Sequence, residues 1–154
     1  MCRILIVDDE KQYCLLLKRA LACDGLQVTT TSDSNEAAER LRTQQFDLLI
    51  SDIDMPDWTG LDLANLATGL SVPPKVLLIT AQKGLLGATG DLKAFHCLLK
   101  PFYLSDLRAK VALLTGCWHI LPVTELPGRG RKKPLRSILE CSGRGFSSVS
   151  GDSA

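Results

Sequence analysis

Residues 4–9 read Ile4-Leu5-Ile6-Val7-Asp8-Asp9, four branched apolar side chains running directly into two carboxylates. An unbroken apolar run of this length predicts a strand buried on both faces, the usual state of a strand inside a parallel sheet. The same sentence is written twice more along the chain. A strand over Asp47–Ser51 runs into Asp52, and one over His96–Leu99 runs into Lys100-Pro101. Between the last two, residues 75–79 form another apolar strand, which ends at Thr80.

Segments of helical period separate these strands. Tyr13, Leu16, Leu17, Ala20 and Leu21 recur at helical spacing over 10–23, with Gly25 as a stop. A short β-branched strand covers 27–31. Ser32 or Asp33 can cap a helix to about residue 43, with Ala37, Ala38 and Leu41 on its inner face. A third helix spans 59–70, closed by Gly69 and Pro73-Pro74. A fourth, over 82–91, is weakened by Gly84, Gly87 and Gly90, each costing up to ~1 kcal/mol against Ala in a helix interior. A fifth covers 104–114. Five alternating strand–helix units predict an α/β fold, a doubly wound five-stranded parallel sheet with helices on both faces.

The expected domain is residues 1–116. Residues 117–154 change character and form an expected flexible, Gly/Ser-rich basic extension. This tail carries six Lys or Arg against three acids, including Gly128-Arg129-Gly130-Arg131-Lys132-Lys133. Net charge over the 154 residues is only +1, which gives no global reason to expect nucleic acid or an anionic membrane as partner. No apolar stretch approaches the ~20 residues of a membrane span. The first apolar run is too short for a signal-peptide core, and the expected location is the cytoplasm. Six cysteines and two histidines include no C-x-x-C pair, so free thiols are expected rather than a zinc site.

The carboxyl ends of parallel strands form the ligand crevice of such sheets. With strand order 2-1-3-4-5, Asp8 and Asp9 lie beside Asp52, and Thr80 and Lys100 lie across from them. Clustered carboxylates need a cation, and Mg²⁺ is the hard, oxygen-loving choice that bridges one or two carboxylates to a phosphoryl group. An aspartate in such a site can act as nucleophile toward phosphorus.

With these residues in view, the chain resembles the response-regulator receiver domains of two-component signalling, the family of the chemotaxis receiver. The resemblance rests on Ile4–Glu10, on Asp52-Ile53-Asp54-Met55-Pro56 with Gly60, on Ile79-Thr80-Ala81, and on Leu99-Lys100-Pro101-Phe102, over about residues 2–115. It implies a flavodoxin-like fold with Asp52 as phospho-acceptor. It also implies Mg²⁺ held by Asp9 directly, Asp8 through water, Asp52, and the backbone carbonyl of Asp54. Lys100 would pair with the phosphoryl oxygens, Thr80 would report them, and a cis peptide would join Lys100 to Pro101. A histidine kinase or phosphotransfer protein would be the donor and a downstream effector protein the reader. Nucleic acid and membrane are not expected partners, and homodimerisation is left open. No enzymatic activity beyond self-phosphorylation and self-dephosphorylation of Asp52 is implied. The family usually has an aromatic switch residue three positions before the lysine, where this chain has Cys97.

Two other readings fit parts of the chain. Asp52-Ile53-Asp54 after an apolar strand also matches a haloacid-dehalogenase-type phosphatase, but no acids of the required kind follow Lys100. A pseudo-receiver, keeping the fold as a constitutive binding module, is disfavoured by the complete set of Asp8, Asp9, Asp52, Thr80 and Lys100.

Overall fold

A computed structural model describes residues 1–23, 25–83 and 94–121. Five strands are present: β1 (Cys2–Val7), β2 (Leu26–Thr31), β3 (Leu48–Asp52), β4 (Lys75–Thr80) and β5 (His96–Leu99). They form one parallel sheet in the order β2-β1-β3-β4-β5. The expected order is met. The described helices are α1 (Lys11–Ala20), α2 (Ser34–Thr43), α3 (Gly60–Thr68) and α4 (Leu104–Thr115). The helix expected over 82–91 falls mostly outside the described residues. No helix among those described is long and apolar enough to cross a membrane.

The sheet divides the core into two layers. Leu5, Val7, Leu49 and Leu78 point to the face covered by α2 and α3, through Ala37, Leu41, Leu63 and Ala67. Ile4, Ile6, Ile50 and Ile79 point to the other face, covered by α1 and α4 through Leu17, Leu21, Leu107 and Val111. Alternate residues of each apolar run therefore feed opposite layers, which is why the runs carry no polar break.

Helix ends follow local chemistry. The Asp33 carboxylate accepts from the amides of Asn35 and Glu36 at 2.8 and 3.2 Å and starts α2. Thr59 and Asp62 form a reciprocal capping box at the start of α3. Gly116, at φ 76°, closes α4 in the left-handed conformation that glycine adopts freely.

The sequence reading of α1 needs one correction. Leu16 is exposed (45%), and Cys14 takes the inward position with Leu17 and Ala20. Positions 14, 17 and 21 are separated by three and four residues and share a face, whereas 16 lies off that stripe.

Packed chain continues beyond Gly116. A 3-10 turn at Trp118–Ile120 leads to Leu121, which is buried, and Ile120 packs on the α1–α4 layer. The rest of the expected extension, with its basic cluster, lies outside the described residues. Among those described, Cys2, Cys14, Cys23, Cys97 and Cys117 form no disulfide.

Candidate functional site

Strand register brings the predicted residues to one edge. Val7 pairs with Ser51, Asp52 with Ile79, and Thr80 with Leu99. Backbone bonds extend the ladders past the strand ends: Asp8 N donates to Thr31 O, Ile53 N to Ile79 O, and Lys100 N to Thr80 O. Asp8, Asp52, Thr80 and Lys100 therefore stand at adjacent carboxyl ends of the sheet.

Lys100 ties this edge together. Its Nζ lies 3.1 Å from Asp8 Oδ2 and 3.0 Å from Asp52 Oδ1. Asp8 (2% exposed) and Asp52 (6% exposed) are both buried, so one ammonium is shared by two sequestered carboxylates. Burial raises the Asp52 carboxyl above its ordinary pKa. Lys100 pulls it back, and the charges of Asp8 and Asp54 push it up again. Burial alone would lower the Lys100 ammonium, but its bonds to Asp52 and Asp8 outweigh that and hold its pKa raised. The Lys100–Pro101 peptide is cis, as the resemblance implies.

The remaining predicted residues surround this pair. Asp9 is exposed at the rim. Thr80 is fully buried, and its Oγ1 accepts from the amide of Gln82 at 3.0 Å. The Gln82 side-chain amide in turn donates to Asp54 Oδ1 at 2.9 Å, so an exposed hydrogen bond links the loop after β3 to the end of β4. Cys97 is buried in the α2–α3 layer, and Phe95 packs against that same cluster. Trp58 also packs there, with the Arg42 guanidinium 5.4 Å from its ring centroid.

Gly60 is required by close approach. A Cβ there would stand 2.2 Å from the Asp52 carbonyl oxygen. Ser34 fastens the loop from the other side, its hydroxyl donating to Pro56 O and accepting from Trp58 N.

Among the described residues, no group of three or more His, Cys, Asp or Glu side chains is arranged to hold a metal directly. Mg²⁺ does not need such a cage. It binds through one or two carboxylates and keeps several waters. Two buried carboxylates sharing one ammonium, with Asp9 at the rim, form an all-oxygen donor set with uncompensated negative charge. These residues fit the ion.

Sequence reasoning missed Tyr13. The helical spacing shows it only as a helix-face residue, but its ring centroid lies 4.1 Å from Lys100 Nζ. It also missed Cys14, whose thiol lies 3.3 Å from the Asp8 carbonyl oxygen beneath the site. The first contact joins residues 87 positions apart and the second depends on how α1 folds back under β1, so neither leaves a local signal.

A family model for the response regulator receiver domain matches residues 4–112. The chain belongs to that family. Response regulator receiver protein CpdR of Brucella abortus is 36% identical over 109 residues, covering 70% of this chain and 91% of that protein. The DNA-binding transcriptional regulator NtrC of Azospirillum brasilense is 34% identical over 106 residues, but the match spans only 22% of its length. Among solved structures, response regulator TrrA of Thermotoga maritima, in complex with Mg²⁺-BeF, is 32% identical with a TM-score of 0.67. It covers 74% of this chain and 99% of its own. The receiver is thus the shared unit. It is the flavodoxin-like, two-component signalling fold expected from the four motifs.

Proposed function

We propose that this receiver is switched by phosphorylation of Asp52. The observation that carries the reading is the sharing of Lys100 between Asp8 and Asp52 at 3.1 and 3.0 Å. An Asp52 oxygen would attack phosphorus, and the bond from phosphorus to the donor's leaving group would break. That leaving group is an imidazole if the donor is a phosphohistidine of a histidine kinase or phosphotransfer protein. The product is an acyl phosphate.

Asp8, Asp9, Asp52 and the carbonyl of Asp54 would hold Mg²⁺, which supplies charge neutralisation for the phosphoryl oxygens when bound. Lys100 would exchange a carboxylate for a phosphoryl oxygen. The Thr80 hydroxyl, now accepting from Gln82 N, is free to donate to that group. A shift of Thr80 and Lys100 would bias the 80–100 region, of which 84–93 lie outside the described residues, between two states and change its contacts with an effector protein. With Cys97 at the usual aromatic position, that change involves no ring rotation there. The TrrA complex with Mg²⁺-BeF supports the metal assignment by analogy.

The test is intact-mass measurement after incubation with Mg²⁺ and acetyl phosphate, alongside Asp52→Ala. The expected result is one Mg²⁺-dependent phosphoryl adduct on wild type only. A stoichiometric adduct on Asp52→Ala would overturn the assignment.

A further inference from the structure

Lys100 Nζ has a third neighbour besides its two carboxylates. The face of Tyr13 lies 4.1 Å away, centroid to nitrogen. Tyr13 sits in the first turn of α1, on the chain segment that follows Asp8 and Asp9. It is half-buried, and Phe102 meets it edge-on at 6.3 Å with an interplanar angle of 81°. Phe102 is only two residues beyond Lys100. The ring that covers the lysine is thus gripped by the segment that carries the lysine.

A lysine presents its ammonium on a flexible four-carbon stem with three rotatable donors. Two carboxylates fix its distance from the strand ends but leave the nitrogen open to water on its remaining side. An aromatic face attracts a cation through its quadrupole and shields it from water. It carries no charge of its own and offers no in-line oxygen to compete with an incoming phosphoryl group. Burial pushes the Tyr13 phenol pKa up, against the pull of Lys100, which keeps the ring neutral.

We propose that Tyr13 is a positioning residue for Lys100: its face, braced by Phe102, holds the ammonium between Asp8 and Asp52. The kinetic consequence rests on the phosphorylation reading above. The geometric part does not.

The full chain carrying ¹³C-lysine separates the two. The Lys100 ε-methylene resonance, assigned by its loss in Lys100→Arg, should be displaced upfield by the ring in wild type. The displacement should persist in Tyr13→Phe, which keeps the face, and vanish in Tyr13→Leu, which keeps only apolar packing. With Mg²⁺ and acetyl phosphate, Tyr13→Leu should form the adduct about two- to fivefold more slowly, the range of an exposed-to-partly buried cation–π contact. Tyr13→Phe should stay within about twofold of wild type, a rescue that mere packing would not distinguish from leucine. An unchanged Lys100 resonance in Tyr13→Leu, or a wild-type rate in that variant, overturns the proposal. If wild type forms no adduct, the phosphorylation reading fails, and the resonance alone decides the placement of Tyr13.

Discussion

Gly60 opens α3 against the carbonyl of Asp52, so close that a methyl group on Gly60 would lie 2.2 Å from that oxygen and 2.8 Å from its carbon. The neighbours are backbone, not flexible side-chain ends. Gly60→Ala must therefore displace either the start of α3 or the end of β3. The expected loss is about 2 kcal/mol or more, read as a lower urea midpoint at unchanged slope. The variant should also react poorly with acetyl phosphate, because the strand end it displaces carries Asp52, the proposed acceptor.

Lys100→Ala leaves Asp8 and Asp52 buried together without their shared cation. Removing one member of a buried ion-paired group is destabilising, and with Lys100 itself 24% exposed a loss of about 1–3 kcal/mol is expected. Mg²⁺ should recover part of it by binding the native state alone. Thermal unfolding with and without Mg²⁺ checks this. The metal-induced rise in Tm should be larger in Lys100→Ala than in wild type, and an equal rise would contradict the shared-cation account.

His96 gives a pH signature. It lies at the start of β5, and its buried Nδ1 has no hydrogen-bond partner among the described residues. Burial lowers its pKa, and the nearby charges of Lys110 on α4 and Lys75 on β4 lower it further. A histidine with a depressed native pKa favours the unfolded state when protonated. Its contribution is fully present above the unfolded imidazole pKa of about 6.5 and is lost as pH falls toward the native value. Wild type should lose more stability than His96→Gln between pH 7.5 and 5.5 in urea titrations. Parallel curves would remove His96 from the account.

Thiol reactivity should be uneven. Burial and the neighbouring Cys117 push the Cys2 thiol up to about 12, and burial pushes Cys14 up to about 11. The thiolate is the reacting species. At pH 8 iodoacetamide should label both at least about tenfold more slowly in native protein than in urea, by peptide mass mapping. Cys117→Ser should speed labelling of Cys2.

Much of this was legible in residue order. Each apolar run ending in a charged or hydroxyl group marked a strand and the end that reaches the candidate site, because a parallel sheet buries both faces and gathers those ends. Strand bounds shifted by a residue where ladder bonds extend past the apolar run, as at Thr80. What was not legible depends on contacts between elements. Leu16 and Cys14 exchanged places because apolar character alone does not give the phase of a helix. The Tyr13–Lys100 stack and the Asp54–Gln82 bond join residues 87 and 28 positions apart, and each partner alone has an ordinary surface explanation.

The α4 helix begins beside the site and runs its 12 residues, about 18 Å, back toward the opposite pole of the sheet. There His119 comes against Gly25, whose carbonyl accepts from the Cys2 amide at the first residue of β1. The buried Leu121 thus lies toward the end of the sheet opposite Asp52. Asp52 and the anchored Leu121 are thus joined through the sheet and α4, one packed scaffold with the candidate site at one end and the last described residue at the other.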